Sequence, residues 1–360
     1  MNQETKKKHG VFFTESSLIA EKLLSNIHFD KEFVHKKVLE PSVGEGHLVI
    51  KLLEKLKNNR FTLKEIVFFI QKNLFISDIN EEYVSKTIFK INEFLQKNFN
   101  HKKKVSPNHT IFDFSKKIKN NLLFDDNTFY KNYINKFDIV FGNPPFVTLY
   151  GRRDKKNNEN QRVEYLKNFN QFPDYVKNGK INLLMLFIEN GLDLLKKNGE
   201  LIYICDGTFF EKSFEHTRKY LLENFFIDKI HINLREFKDV YSSQLILKLI
   251  NNKCKEEYYT TILDDKLNKE VKINQSLWIN KEDNYKIRFY FDKKISNILT
   301  KIKKKVPTTL YEIYPGKKLR TSSMLLTYEE EFTITDLDKR NLKYYNFYNG
   351  SKSLTEKYGE

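Results

Sequence analysis

FDIVFGNPPF, residues 137–146, opens as an apolar run and closes on an asparagine, two prolines and an aromatic ring. The run is short and rich in β-branched and aromatic residues, which suits a strand buried on both faces. Proline has no N–H to give a sheet ladder, so the strand has to end by Gly142. Asn143, Pro144, Pro145 and Phe146 then lie at a strand's carboxyl end, the side on which open parallel sheets bind their ligands.

Outward from this stretch the same pattern repeats. Short apolar runs at Val38–Glu40, 74–79 (LFISDI), 110–114 (TIFDF), 200–205 (ELIYIC), Ile227–Asn233 and Gln244–Ile250 read as strands. Helical spacing falls between them. Ala20, Leu23, Leu24 and Ile27 share a face behind a possible Thr14 cap, as do Val49, Leu52, Leu53 and Leu56 behind a glycine turn. A further helix is expected from Ile181 to Leu195, stopped by Asn198-Gly199. This alternation predicts an α/β fold with helices on both faces of the sheet. Between residues 233 and 244 there is room for a turn but not for a crossover helix, so the last two strands should pair antiparallel. The expectation is a mostly parallel seven-stranded sheet with one antiparallel strand, carried by residues 1–255. Residues 256–360 form a smaller, basic C-terminal region without a clear period. Within it, positions 281–320 hold twelve Lys or Arg against four Asp or Glu.

The whole chain has 63 Lys and Arg against 47 Asp and Glu, a formal charge of +16. Such an excess suits a polyanionic partner, nucleic acid above all. An AT-rich genome would raise the lysine count without any such partner, so charge alone does not decide. The two cysteines, Cys205 and Cys254, match no zinc spacing and no disulfide framework, and no metal site is expected. The first residues lead into no apolar signal segment and no run approaches a membrane span, so the expected location is the cytoplasm.

Four successive strand ends carry polar residues: Glu40, Asp78, Asp113 and Asn143. After Glu40 comes Pro41-Ser42-Val43-Gly44-Glu45-Gly46, whose glycines allow a tight turn and close approach to a ligand before a helix N-terminus. Asp78, with Ile79 after it, can accept the hydroxyls of a ribose; alternatively Asp78 or Asn80 simply starts the helix beginning with Glu81. Asp113 can accept from an adenine amino group while Phe114 packs on the base; the plain alternative is a capped turn. Together these residues imply an adenosine-containing cofactor.

The Asn-Pro-Pro-Phe run then has a chemical reading. An exocyclic amine on a nucleobase is a poor nucleophile, because its lone pair is delocalised into the ring. The Asn143 side-chain oxygen and a backbone carbonyl can accept both N–H groups and aim that lone pair at an electrophile. The prolines fix the carbonyl. Phe146 offers a face for an extruded base, a contact worth roughly 1–3 kcal/mol.

Residues 9–250 resemble, motif by motif and in order, the gamma-class S-adenosylmethionine-dependent DNA adenine-N6 methyltransferases of restriction–modification systems. HGVFFTES (9–16) resembles their N-terminal cofactor-closing segment, which implies contacts from Phe13 and Thr14. EPSVGEG (40–46) is similar to the cofactor glycine motif, SDIN (77–80) to the ribose acid, FDF (112–114) to the acid beside the cofactor adenine, and NPPF to the catalytic motif. The resemblance implies a Rossmann-like class I methyltransferase fold with S-adenosyl-L-methionine as cofactor. It also implies a second stacking aromatic, Phe237, with Tyr241 as the alternative. The basic loop after the catalytic motif offers Arg152, Arg153, Lys155, Lys156 and Arg162 to the DNA backbone. Double-stranded DNA is the expected partner, with a cognate restriction endonuclease or a specificity subunit beside it. Two features depart from the family. CDGTFF (205–210) stands where many relatives carry a proline-containing loop, and the stretch after residue 250 is shorter than their recognition regions. A modification component without a nuclease segment is expected. RNA adenine-N6 methylation and a non-catalytic, methyltransferase-like binding subunit are the competing readings.

Overall fold

The protein is described from a computed structural model covering residues 17–118, 130, 132–148, 163–172, 181–234, 244–253, 255, 257–281, 283–289 and 293–305. Its strands are Val38–Glu40 (β1), Leu74–Asp78 (β2), Asn108–Ile111 (β3), Phe137–Gly142 (β4), Leu195–Asp206 (β5), Phe226–Leu234 (β6), Gln244–Ile250 (β7), Tyr259–Asp264 (β8) and Lys269–Asn274 (β9). They form one sheet in the order β3-β2-β1-β4-β5-β7-β6-β8-β9. The first five strands pair parallel, β7 runs antiparallel to both β5 and β6, and β9 runs antiparallel to β8.

Side-chain alternation along these strands builds two cores. Leu39, Phe75, Val140, Leu201 and Tyr203 face one of them; Val38, Leu74, Ile76, Ile139, Phe141 and Ile202 face the other. The second core is closed by Ser17–Leu24 (α1), His47–Asn58 (α2), Leu63–Lys72 (α3) and Glu81–Phe99 (α4). Against the first lie Leu183–Leu194 (α5) and Glu215–Asn224 (α6). On α5, Gly191 lets the helix come down on β5, since a Cβ there would stand 2.6 Å from Leu201 Cδ1. The expected α/β layering is present, with β7 as the reversed strand between β5 and β6.

The count of seven strands is corrected to nine. β8 pairs parallel with β6 and carries β9 outward as a hairpin, so the sheet continues past residue 255. The compact unit that contains it ends at Phe291. β9 escapes sequence reading because only Ile273 on it is buried, so it has no apolar alternation to show. Its lysines suit an edge strand, where charge discourages pairing with other chains. Two element boundaries also move. β3 stops at Ile111 because the Asp113 side chain closes a turn on Ser115. α5 ends at Leu194, and Asn198-Gly199 sits within β5, with Asn198 in the left-handed region at φ 65°. The second compact unit, Asp292–Glu360, is described through Lys293–Lys305 (α7), a lysine-rich helix with Ile298 and Ile302 exposed. Among the described residues no helix is long and apolar enough to cross a membrane.

Candidate active site

The strand order reverses at β1, with β2 on one side and β4 on the other, which makes the crevice beyond their carboxyl ends the topological switch point. Into it run the loop after β1, the end of β2 and the Asn-Pro-Pro-Phe segment after β4. Hydrogen bonds join all three. The Gly44 N–H donates to Asp78 Oδ2 at 2.9 Å, the Val43 N–H to the Ser77 carbonyl at 2.9 Å, and the Ser42 hydroxyl to the Asn143 carbonyl at 3.3 Å. Pro41 is buried, and its ring lies 3.6 Å from where a Cβ on Gly142 would stand, so the first loop packs on the end of β4.

The glycine loop is also held from behind. On α4, Thr87 donates to the Gly44 carbonyl (3.3 Å) and Lys90 to the Glu45 carbonyl (2.8 Å). Gly46 caps α2 in the left-handed region (φ 79°), and a Cβ there would meet Thr87 Oγ1 at 2.7 Å. Turn and close packing both require glycine at this position.

Two carboxylates dominate the electrostatics. Glu40 is 1% exposed, and its Oε2 has no hydrogen-bond partner among the described residues. Burial pushes its carboxyl well above the ordinary range, and the nearby charge of Asp78 adds to the effect. Asp78 is buried as well and is raised by desolvation, against the pull of backbone N–H groups from Asn80, Gly44 and Ile79. Asn80 starts the next helix, as the capping alternative allowed: it is the N-cap of α4, taking the Glu82 N–H at 2.9 Å, while Asp78 accepts from the Asn80 N–H (3.0 Å) and reaches back to the glycine loop. Ile79 beside it is 67% exposed, an apolar side chain standing free at the rim.

Asp113 behaves as the capped-turn alternative requires. Its Oδ1 accepts from the Ser115 N–H (3.0 Å) and hydroxyl (2.6 Å), which leaves Oδ2 for a ligand. Phe114 is turned inward: it is 1% exposed and packs on Tyr130 and Phe187, with ring centroids 5.4 and 5.1 Å away. The ring expected to pack on a base therefore belongs to the core, and the half-buried aromatic of that motif is Phe112.

Asn143, Pro145 and Phe146 are half-buried, and Pro144 is buried. Beyond them, the Leu183 N–H donates to the Val147 carbonyl (2.9 Å), and Asn182, the N-cap of α5, reaches the Thr148 hydroxyl (3.3 Å). The motif is thus tied at one end to the glycine loop and at the other to α5. A cavity of about 260 Å³ opens there, between Thr148 and Asn182 on one side and Thr208, Glu211, Ser213 and Phe214 on the other. Phe13, Thr14, Arg152, Arg153, Lys155, Lys156, Arg162, Phe237 and Tyr241 lie outside the described residues.

Several residues that sequence reading passed over shape the site. Thr87 and Lys90 grip the glycine loop, but a polar residue on a helix does not disclose which loop it faces. Asn190 on α5 donates to the Phe114 and Lys116 carbonyls, at 2.8 Å each. Beside it, Glu189 and Asp193 hold Lys117, all three of them buried. Polar residues inside LLMLFIENGLDL were a readable sign of buried hydrogen bonding. Among the described residues no cluster of His, Cys, Asp or Glu could hold a metal ion.

Comparison with known proteins bears on the same segments. Residues 72–241 match the family model described as Eco57I restriction-modification methylase. Over 121 residues the chain is 36% identical to the type II methyltransferases M.HincII and M.HindII of Haemophilus influenzae, a match covering 33% of this chain and 23% and 22% of theirs. The matched stretch thus spans under a quarter of the length of these curated relatives. Among solved structures, it resembles the type ISP restriction-modification enzyme LlaBIII bound to DNA, with a TM-score of 0.52 and 17% identity over 76% of this chain and 20% of that one. It also resembles a modification subunit of a putative type I restriction enzyme from Vibrio vulnificus, with a TM-score of 0.54 and 14% identity over 83% of this chain and 63% of that one. At these identities the likeness is one of fold alone.

Proposed function

We propose that this chain methylates the N6 amino group of adenine in DNA, with S-adenosyl-L-methionine as methyl donor, as the modification component of a restriction–modification system. One observation carries the reading: Glu40 and Asn143 end adjacent parallel strands at the switch point, their loops joined through Ser42. The local chemistry fits the cofactor. The unpartnered buried oxygen of Glu40 calls for a cationic donor such as the methionine ammonium. Asp78 Oδ1 and Oδ2 lie at the end of β2, where a ribose would present its hydroxyls. Ile79 supplies an apolar surface for the adenine, and Asp113 Oδ2 an acceptor for its amino group. Pro41, Gly44 and Gly46 shape the loop around the cofactor, and Phe13 and Thr14 would close over it. When bound, the cofactor supplies an electrophilic methyl group.

The chain's own part is to bind and orient the target. Asn143 Oδ1 and the Pro144 carbonyl would each accept one N–H of the adenine amine, turning its lone pair out of conjugation. Phe146 and Phe237 would stack on the extruded base, and Pro145 stiffens the turn between them. Such a site works by positioning and needs no general base. Arg152, Arg153, Lys155, Lys156 and Arg162 would hold the phosphate backbone next to the flipped nucleotide. The deciding experiment is transfer of labelled methyl groups to unmethylated DNA and, in parallel, to RNA, followed by nucleoside mass spectrometry. N6-methyldeoxyadenosine in the DNA is the expected product. Label confined to RNA, or found on cytosine, overturns the proposal. So does failure to bind the cofactor.

A further inference from the structure

Arg218 on α6 is 1% exposed, and among the described residues its guanidinium donates to four backbone carbonyls. Two of them, from Phe209 (2.8 Å) and Glu211 (2.6 Å), belong to the loop after β5. The other two, from Tyr285 (3.0 Å) and Asn284 (3.3 Å), belong to a segment far along the chain. Burial lowers the arginine pKa to about 10, so the group stays cationic at neutral pH. Burying a charge on four carbonyls is costly unless their arrangement matters, and only the planar five-donor fork of arginine reaches two backbones at once.

Both partners of this clamp are built to be held. Asn284 and Tyr285 are consecutive left-handed residues without being glycine, at φ 54° and 51°, a conformation that persists only where surroundings impose it. Arg288 and Asp283 form a two-point ion pair across that segment, and the Trp278 indole N–H reaches the Arg288 carbonyl at 3.2 Å. Phe210 on the loop meets Phe289 edge to face, with centroids 4.8 Å apart. The held loop supplies Thr208, Glu211, Ser213 and Phe214 to the cavity that is also lined by Thr148, two residues after the Asn-Pro-Pro-Phe segment, and by Asn182 at the start of α5.

We propose that Arg218 is a positioning residue for methyl transfer: it locks residues 207–214 to residues 284–289 and so fixes the wall of the cavity that faces the target base. This rests on the site being a nucleobase methyltransferase centre.

The test uses the full chain with two variants, Arg218→Lys, which keeps the charge without the fork, and Phe289→Ala, which weakens the same link from the other side. Amide hydrogen exchange, cofactor binding by calorimetry and single-turnover transfer to unmethylated DNA are measured for each. Expected are exchange at least tenfold faster across residues 207–214, unchanged exchange in β1 and β4, cofactor affinity within about twofold, and transfer slowed at least tenfold at saturating DNA. Unchanged exchange in 207–214 overturns the clamp. Faster exchange with wild-type transfer overturns its role in the reaction. A wild-type protein that binds cofactor yet methylates neither DNA nor RNA sinks the functional reading instead, a result distinct from both.

Discussion

Replacing Glu40 with glutamine separates what the fold needs from what the cofactor needs. This carboxyl is buried, its Oε2 has no partner among the described residues, and burial followed by the charge of Asp78 raises its pKa well above the ordinary range. An acid whose folded pKa lies above its unfolded value favours folding fully below the unfolded pKa. That contribution is lost as pH rises through the folded pKa. Above the unfolded pKa this acid is therefore a burden on folding, and Glu40→Gln should stabilise the ligand-free protein. Glutamine still buries a polar amide there, so only the cost of the titrating acid is removed, ~1 kcal/mol, or about 2–4 °C in melting temperature for a domain of this size. The gain should shrink towards pH 4, where the wild-type carboxyl is protonated. Binding should move the other way. A charge-assisted hydrogen bond to the cofactor ammonium contributes about 1.5–3 kcal/mol, so glutamine should weaken S-adenosylmethionine binding roughly 10- to 150-fold. Wild-type affinity should also fall with pH below the raised pKa, by up to about tenfold per unit, while the variant's profile stays flat from this group. Melting curves and calorimetric titrations at two pH values measure both effects. A glutamine variant that binds as tightly as wild type, or that melts lower near pH 8, refutes the reasoning.

Gly46→Ala should cost about 1–3 kcal/mol in a urea titration, because it forces an L side chain into the left-handed region against Thr87. Adding Thr87→Ala should recover the steric part only; a single variant as stable as wild type contradicts the close-packing argument. Asn143→Ala should leave cofactor affinity nearly intact and lower methyl transfer by orders of magnitude, and a turnover near the wild-type value would remove Asn143 from the role of orienting the amine. Lys117→Met strips the buried Glu189 and Asp193 of their counter-charge, a loss of about 3–5 kcal/mol in unfolding free energy. A change below ~1 kcal/mol would show that the backbone N–H groups of Asn170 and Gln171 satisfy Glu189 by themselves.

The sequence by itself determined the elements whose chemistry is local. β1, β2 and β4 read directly, because a strand buried on both faces is a short apolar run cut off by a proline turn or a helix cap. The succession Glu40, Asp78, Asp113 and Asn143 was visible because each stands at, or within two residues of, the end of its strand. Tertiary structure alone decided the rest. β9 shows almost no buried side chain and belongs to the sheet only through its ladder with β8, a partnership no periodicity records. Phe114 and Phe112 are both aromatic and two positions apart, and only packing against Tyr130 and Phe187 selects Phe114 for the core. The grip of Thr87 and Lys90 on the glycine loop and of Arg218 on two distant segments depends on where helices land on the sheet. Residues far apart in sequence meet there through backbone carbonyls, and because every residue carries one, the sequence leaves no mark of which will be used.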